Sequence, residues 1–538
     1  MKINTTLYFK IIFISLPFLY SILYAPFGFE DNDTGFIAGL SWQFLTGSIP
    51  YTEIIYVRPP ASYMFHALPL VFGKDYGLIL DRSIFYFEIA IYSYLTILLL
   101  ARHFKYTDKA YIYFLSILSF ILSVHTFPPM GWHTIDGFFF SVIGIYIILT
   151  FNRIFIVFFG VLFLIMGALS KQPFYLIPIV MLGYLYLQNN YKKLWIVFLC
   201  VIVIFLGFFF YLKVIGAFTT FIHLTSGQTS IFDLFETGFL HYLKSIKFVL
   251  FVFIPPIITL TILSKNNSII HFNHYFFFII LWILLFSFFI YVNNDVFVGP
   301  IHSFPDALFI VSSMIVLYKI YVKKNNNYYI LLLFLILSWA GSISWGYNTT
   351  VFFVAPMIFI LSTKIYKEFQ TTTYKLYASI LIIFSLITFY IGYQNPYNLD
   401  HSSKKSDLIY KMDEIYPKLK YIYGDKETYM EYKELKSFIF NYGNNFVVLP
   451  DVTLIHYLSN TKNQIGIDWV MNAEINNENN KIITLLEAGK IIVFLKKKEL
   501  SSEGKFGSNV ATHIRKTWKK TNEGKYFDVY ISKEKIIK

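Results

Sequence analysis

Long apolar runs, separated by short polar segments, dominate the sequence from the N-terminus to about residue 394. Runs of about 18–20 mostly apolar residues have the length that an α-helix needs to cross a bilayer. The pattern therefore predicts a polytopic α-helical membrane protein with about thirteen transmembrane helices. The predicted spans cover 8–26, 82–101, 110–127, 133–151, 154–170, 174–188, 194–212, 247–263, 275–292, 306–321, 328–345, 350–363 and 376–393.

The polar segments between these spans differ in charge from one side of the predicted bundle to the other. One set of loops carries most of the Lys and Arg, whereas the alternate set collects acids such as Asp33, Asp81 and Asp136. Loops rich in Lys and Arg stay in the cytoplasm under the positive-inside rule. We therefore predict a cytoplasmic N-terminus and outward-facing acidic loops. An odd number of spans then places the C-terminus outside the cytoplasm.

Residues 1–394 form the predicted transmembrane catalytic module, and two of its outward loops are long. The first covers 27–81 and the second 213–245. Long loops between spans commonly carry function, and these contain too many aromatic residues for disorder. In the first loop, apolar residues recur at helical spacing from Phe36 to Leu45. We expect this helix to lie in the membrane interface with its apolar side toward lipid.

Residues 395–538 have a different composition and form a predicted extracytoplasmic domain. Acidic residues become frequent, and helical patterns alternate with β-rich runs. A segment of this length is large enough to build its own core, which predicts a small soluble α/β domain. The predicted elements are strands at 445–449 and 491–495, a helix at 481–488 and a hairpin at 518–531.

Composition excludes some classes of function. The net charge is +13, but the basic residues are scattered over short loops, as expected for topology and contact with anionic lipid. A nucleic-acid partner is therefore not predicted. The single cysteine, Cys200, lies in an apolar span and cannot form an internal disulfide. Frequent Ile, Lys, Asn, Phe and Tyr are associated with AT-rich bacterial genomes, so we predict a multi-pass protein of the bacterial cytoplasmic membrane.

Candidate chemistry concentrates in the first outward loop. Glu30, Asp31 and Asp33 directly follow the first span, and Arg58 precedes two prolines in the same loop. A carboxylate there can take the proton of an attacking hydroxyl, and a guanidinium can bind a phosphate through two hydrogen bonds. Alternatively, Asp33 is the N-cap of the helix, and Arg58 binds a lipid headgroup. Which of the three acids is the base stays open.

Other polar residues at outward span ends are candidates for substrate binding. Lys171 defies the positive-inside tendency, which suggests a second phosphate contact, although a snorkelling lysine is the alternative. Arg82 pairs with Asp81 or contacts substrate, and His133 and Asp136 share a helical face. No cofactor is required, but a divalent cation on Asp31 and Asp33 is one alternative. Further candidates are His66, Tyr347 and Asn348.

The segment from Asp33 through Gly47, Pro50 and Tyr51 to Arg58-Pro59-Pro60 resembles the first outer loop of GT-C glycosyltransferases. The protein O-mannosyltransferases and lipid A aminoarabinose transferases are the most similar branch. The resemblance implies a GT-C fold, a polyprenyl-phosphate-sugar donor and inversion at the anomeric carbon. It also implies that Asp33 occupies the family's acidic position and Arg58 its basic position. The family's common acidic pair is missing here, because a threonine follows Asp33.

These observations predict an integral membrane glycosyltransferase acting at the outer face of the membrane. The expected partners are the polyprenyl-phosphate-sugar donor, a lipid, glycan or protein acceptor, and membrane lipids. A polymerase or ligase of lipid-linked glycans is one alternative. A transporter or flippase for a polysaccharide or lipid is another, although transporters generally carry ionisable residues near the bilayer midplane.

Overall fold

The structure is a computed structural model, and the residues that it describes are interrupted by two long stretches, within 227–302 and 344–403. The described residues are 5–29, 33–125, 127–226, 240, 303–343, 386, 389–390, 392–397, 404–497, 503–504 and 507–532. The predicted spans at 247–263, 275–292 and 350–363, and most of 376–393, lie outside these residues. So do four of the predicted site residues, namely Glu30, Asp31, Tyr347 and Asn348.

The N-terminal part is built from α-helices. They are α1 Thr5–Leu23, α2 Asp33–Leu45, α3 Ala61–Gly73, α4 Gly77–His103, α5 Lys109–Val124, α6 His133–Thr150, α7 Ile154–Ala168, α8 Leu176–Leu187, α9 Tyr191–Val214, α10 Phe218–Thr225, α11 Ser303–Tyr321 and α12 Tyr329–Ser342. The predicted spans between 8 and 212, and those at 306–321 and 328–345, each correspond to one of these helices.

Four helical stretches of the described part are long and apolar enough to cross a membrane: Thr5–Leu23, Ala61–His103, His133–Thr150 and Tyr191–Val214. The last, α9, presents most of its apolar side chains on the surface, as expected of a helix that faces lipid. The stretch Ala61–His103 contains α3 and α4, joined by a 3-10 turn and packed against each other. The count of thirteen spans stays a prediction.

The helix predicted in the first outward loop is present as α2, but its expected exposure to lipid is wrong. Phe36, Ile37 and Leu40 are all buried inside the protein. The reason is a pair of small residues: a Cβ on Gly35 or Gly39 would approach Thr453 atoms to 2.2 and 2.4 Å. These glycines let the C-terminal domain cover the helix closely, so protein takes the place expected for lipid.

The C-terminal part is an α/β domain centred on a four-stranded sheet. Its strands lie in the order β3 (Phe446–Leu449), β4 (Ile492–Lys496), β6 (Phe527–Ile531) and β5 (Lys519–Glu523). Strands β3 and β4 are parallel, whereas β4 with β6 and β5 with β6 are antiparallel. The predicted strands, helix and hairpin are all confirmed. The elements are β1 Tyr410–Lys411, β2 Tyr423–Gly424, α13 Lys426–Tyr442, β3 Phe446–Leu449, α14 Ile455–Ser459, α15 Asn479–Ala488, β4 Ile492–Lys496, α16 Asn509–Thr517, β5 Lys519–Glu523 and β6 Phe527–Ile531.

The C-terminal domain packs directly on the loop 27–81, which the sequence predicts to face outward. The Nε2 of Gln43, on α2, donates to Asp468 over 2.7 Å, and the indole of Trp42 donates to the carbonyl of Thr461 over 2.8 Å. Further along the loop, the backbone N–H of Ile55 donates to the carbonyl of Gly466 over 2.9 Å. These bonds fix the loop from two sides, so the side chains between α2 and α3 are held in place by both parts of the chain.

Candidate functional site

Arg58 lies between α2 and α3 and forms an ion pair with the C-terminal domain. Its carbonyl accepts a 2.8 Å hydrogen bond from the hydroxyl of the buried Tyr51. Its Nη1 and Nη2 contact the two carboxylate oxygens of Glu474 at 2.6 and 2.7 Å, which is the bidentate geometry that guanidinium prefers. The side chains are 19% and 8% exposed, so the pair is largely shielded from water.

The surroundings of Arg58 stabilise its positive charge. Burial disfavours the charged form, but the Glu474 carboxylate more than offsets this and raises the pKa of Arg58 above its ordinary value. The negative charge of Asp33 also raises the pKa of Arg58. The guanidinium carbon lies 5.4 Å from the centre of the Phe36 ring, one turn along α2 from Asp33. The predicted base and the predicted phosphate ligand are therefore within electrostatic range of each other.

Lys171 is a second buried cation beside Arg58. It lies between α7 and the 3-10 turn that precedes α8, is 3% exposed, and donates from Nζ to the hydroxyl of Thr134 over 3.1 Å. The adjacent Gln172 donates to the carbonyl of Val57 over 2.6 Å, which connects this segment to the Arg58 segment. Such burial does not fit a lysine that snorkels to water.

Burial and the positive charge of Arg58 lower the pKa of Lys171 to about 7, although the nearby Glu474 opposes this shift. Near neutral pH, its charge therefore depends on its surroundings. An anion placed between Lys171 and Arg58 would favour the protonated ammonium.

His133 completes this region at the start of α6. Its ring lies 4.3 Å from that of Trp132, and it is within electrostatic range of both Arg58 and Lys171. The side chain is buried, and its Nδ1 has no hydrogen-bond partner among the described residues. We call Arg58, Lys171, His133 and Glu474 the Arg58 site. It combines two cations, one carboxylate and one imidazole with a free nitrogen in a poorly hydrated region.

His66 and Asp136 belong to a separate buried group. The Nδ1 of His66 lies 2.6 Å from Oδ1 of Asp81, and its Nε2 lies 2.9 Å from Oδ1 of Asp136. Glu88, on α4, faces the same histidine and Asp136. We call His66, Asp81, Glu88 and Asp136 the His66 cluster. Because all four are at most 1% exposed, they hold α3, α4 and α6 together away from water.

Arg82 does not pair with Asp81 as one sequence alternative expected. Its Nη1 donates instead to the carbonyls of Ala25 and Gly28, at 3.0 and 2.7 Å. Its guanidinium carbon lies 5.3 Å from the centre of the Tyr397 ring. Asp81 contacts His66 through Oδ1 instead. Arg82 therefore holds the segment that follows α1 in place through its backbone carbonyls.

In the structure, Asp33, Lys171 and His133 each lie within electrostatic range of Arg58. Sequence reasoning did not identify Glu474, which lies 416 residues from Arg58 in a polar, Asn-rich segment of the C-terminal domain. Nor did it propose a role for Glu88, which lies inside the predicted span 82–101. An acid in an apolar span was the available signal for Glu88, whereas no local signal marks Glu474.

The Arg58 site has the features needed to bind a phosphate group. A planar guanidinium and an ammonium provide several N–H donors, and low exposure strengthens their attraction for an anion. Glu474 currently satisfies both Nη atoms of Arg58. An incoming phosphate would therefore replace a carboxylate of the same bidentate geometry, or share the guanidinium with it.

No protein-family model matches the sequence, and no curated protein matches it. Among solved structures, the chain is similar to the archaeal oligosaccharyltransferase AglB from Archaeoglobus fulgidus in complex with an inhibitory peptide and a dolichol-phosphate. The identity is 11% and the TM-score 0.47, over 92% of this chain and 69% of that one. These values are too low to assign this chain to a family.

Proposed function

We propose that the chain is an integral membrane glycosyltransferase that moves a sugar from a polyprenyl-phosphate donor to a lipid, glycan or protein acceptor. The observation that carries the proposal is the meeting of two shielded cations, Arg58 and Lys171, with the carboxylate of Asp33 nearby. A lipid-linked donor enters such a site from the membrane, and the apolar helices of the chain provide that setting.

In the proposed reaction, Asp33 is the general base. The acceptor hydroxyl attacks the anomeric carbon while its proton passes to the Asp33 carboxylate. The bond between the anomeric carbon and the phosphate oxygen breaks, and its electron pair stays on the phosphate. Attack from the face opposite the leaving group inverts the anomeric configuration.

Arg58 and Lys171 stabilise the charge that develops on the departing phosphate. Glu474 orients the Arg58 guanidinium, which the phosphate then takes over or shares, and the hydroxyl of Thr134 orients the Lys171 ammonium. His133, which is within electrostatic range of both cations, would contact either the phosphate or the sugar. The burial of Lys171 and His133 and the low exposure of Arg58 would keep water from competing with the acceptor.

The test is sugar transfer by the purified full-length protein in detergent, from a panel of radiolabelled C55-polyprenyl-phosphate monosaccharides to an endogenous lipid and glycan extract. Asp33→Asn, Arg58→Gln and Lys171→Gln should each lose at least about a hundredfold in rate. The control is Arg102→Gln, because that arginine is exposed in the last turn of α4 and its side chain donates a hydrogen bond to the hydroxyl of Tyr146, away from the Arg58 site. Equal transfer by the wild type and the three site variants would contradict the proposal.

A further inference from the structure

The His66 cluster contains more acidic groups than its described partners can neutralise. Asp81, Glu88 and Asp136 contribute three carboxylates, all buried. Protonated His66 balances one, and Arg82, which makes no hydrogen bond to Asp81 but acts on it electrostatically, balances a second in formal charge. A third carboxylate then lacks a counter-charge, and an uncompensated charge in a buried site is strongly unfavourable.

Glu88 is the residue that has no hydrogen-bond donor. Among the described residues, no N–H group or hydroxyl donates to either carboxylate oxygen of Glu88 or to Oδ2 of Asp136, and the contact of Glu88 is the Asp136 carboxyl itself. Yet the Glu88 and Asp136 carboxylates face each other at close range. Two carboxylates in this position need either a shared proton or a cation between them.

The donor atoms are also close enough to bind one ion. One ligand atom each from His66, Glu88 and Asp136 lies within 4.8 Å of the others. An imidazole nitrogen and two carboxylate oxygens at about 2.0–2.2 Å from an ion are separated by roughly 3.3 Å. The 2.9 Å between Nε2 of His66 and Oδ1 of Asp136 must therefore lengthen only slightly. The separations that involve Glu88, which are at most 4.8 Å, must shorten toward the same value.

Asp81 provides the outer contact that such a site needs. Its Oδ1 lies 2.6 Å from Nδ1 of His66. When this nitrogen carries the proton, Nε2 presents its lone pair to an ion, as in the carboxylate–histidine–metal arrangement. The formal charges then balance. The two positive charges of the ion and the one of Arg82 equal the three negative charges of the carboxylates, while His66 is neutral.

We propose that His66, Glu88 and Asp136 bind a divalent transition-metal ion, with Zn²⁺ the first candidate and Asp81 orienting the histidine. A mixed nitrogen and oxygen ligand set suits Zn²⁺ or Mn²⁺ better than Ca²⁺ or Mg²⁺. The ion would join α3, α4 and α6, and α6 begins with His133 of the Arg58 site. The proposal is independent of the catalytic role given to Arg58.

The experiment measures metal content and thermal stability of the full-length protein in detergent. The protein is stripped with EDTA, Zn²⁺ or Mn²⁺ is added separately, and excess ion is removed before mass spectrometry of the bound metal. We expect about one Zn²⁺ per chain and a rise in Tm of about 3 °C or more. The expected stoichiometry is one because the described residues contain no second group of three such ligands within this distance.

Variants separate the metal site from other causes of stability. Glu88→Gln should lose stoichiometric Zn²⁺ and its effect on Tm, whereas Asp81→Asn should keep the stoichiometry with affinity 10- to 100-fold lower. Asp468→Asn is the matched control, because Asp468 is a buried carboxylate beside a histidine but outside the cluster. It should bind Zn²⁺ like the wild type.

A wild-type protein that binds less than roughly 0.1 Zn²⁺ or Mn²⁺ per chain, with a Tm that neither ion changes, would overturn the proposal. This measurement needs no variant to fold. If Glu88→Gln were then as stable as the wild type or more stable, the result would identify a shared proton between Glu88 and Asp136. Loss of sugar transfer in the Arg58 variants bears on the proposed function alone.

Discussion

The ion pair between Arg58 and Glu474 gives a prediction with two opposite effects. Glu474→Gln keeps the size of the side chain but removes its charge. The carboxylate now occupies both Nη atoms of Arg58, at 2.6 and 2.7 Å. The substitution should weaken the attachment of the C-terminal domain to the first loop. It should also strengthen phosphate binding, because the phosphate no longer competes with a carboxylate.

The structure sets the size of both effects. The two side chains are 19% and 8% exposed, so their charge-assisted bonds are worth more than those of a surface pair. The glutamine side chain of Glu474→Gln can still accept one hydrogen bond from Arg58 through its amide oxygen. The free energy of unfolding should therefore fall by about 1–3 kcal/mol. Removal of the competing carboxylate should tighten the binding of a phosphate up to about tenfold, or about 1.4 kcal/mol.

The assay compares Tm and the Kd for radiolabelled C55-polyprenyl phosphate in the two proteins at pH 6, where Lys171 is mostly protonated. Glu53→Gln is the matched control, because Glu53 also pairs with the C-terminal domain through Lys462. That pair is long, at 3.6 Å, and both side chains are 43% or more exposed. Its removal should cost no more than about 0.5 kcal/mol and leave phosphate binding unchanged.

Two results would refute this reasoning. The first is a Tm of Glu474→Gln that falls no further than that of Glu53→Gln, since the pair would then contribute little to domain contact. The second is a Kd that stays the same or rises. In that case, the carboxylate would orient Arg58 for the ligand instead of competing with it.

Two further predictions concern Lys171 and α2. The pKa of Lys171 is about 7, and a bound phosphate would raise it. The affinity for a polyprenyl-phosphate sugar diester should therefore fall up to about tenfold for each pH unit above 7. In a binding titration, Lys171→Gln should show a much flatter dependence of affinity on pH. Between pH 7 and 10.5 in the absence of ligand, Lys171 is protonated more in the unfolded chain than in the folded protein. The free energy of unfolding should therefore rise with pH in this range, and Lys171→Gln should lack this rise. Gly39→Ala should lower stability by about 1–3 kcal/mol, because its Cβ would lie 2.4 Å from the carbonyl oxygen of Thr453. Gly183→Ala, where a Cβ meets nothing within 4 Å, should leave Tm unchanged or raised, and equal Tm values for the two variants would contradict the packing of α2 under the C-terminal domain.

The helices and the C-terminal strands were predictable because their signals are local. Apolar runs determine where α4, α6 and α9 lie, and the β-rich run from Phe446 to Leu449 is a buried strand as expected. The sequence did not predict that the C-terminal domain, and not lipid, covers α2. The small-residue spacing of Gly35 and Gly39 was the available signal, since it permits another backbone to approach closely.

The site was only partly predictable because its contacts are distant in sequence. Arg58 was identified from its own segment, but its partner Glu474 lies in another domain, and nothing in either segment encodes the pairing. Likewise, Asp81 and Asp136 reach opposite nitrogens of His66 from different helices. Residue type indicated that these side chains have special roles, whereas the fold alone determines which of them meet.

The central claim is that Arg58 and Lys171 bind the phosphate of a lipid-linked sugar, while Asp33 lies on the side of the acceptor hydroxyl. The most direct measurement is photo-crosslinking with a C55-polyprenyl phosphate that carries a diazirine next to the phosphate, followed by peptide mapping of the full-length protein. The account predicts labels within 33–58 and next to Lys171, which decrease when unlabelled polyprenyl-phosphate sugar competes. Labels confined to other segments, or labelling that the competitor does not reduce, would contradict it.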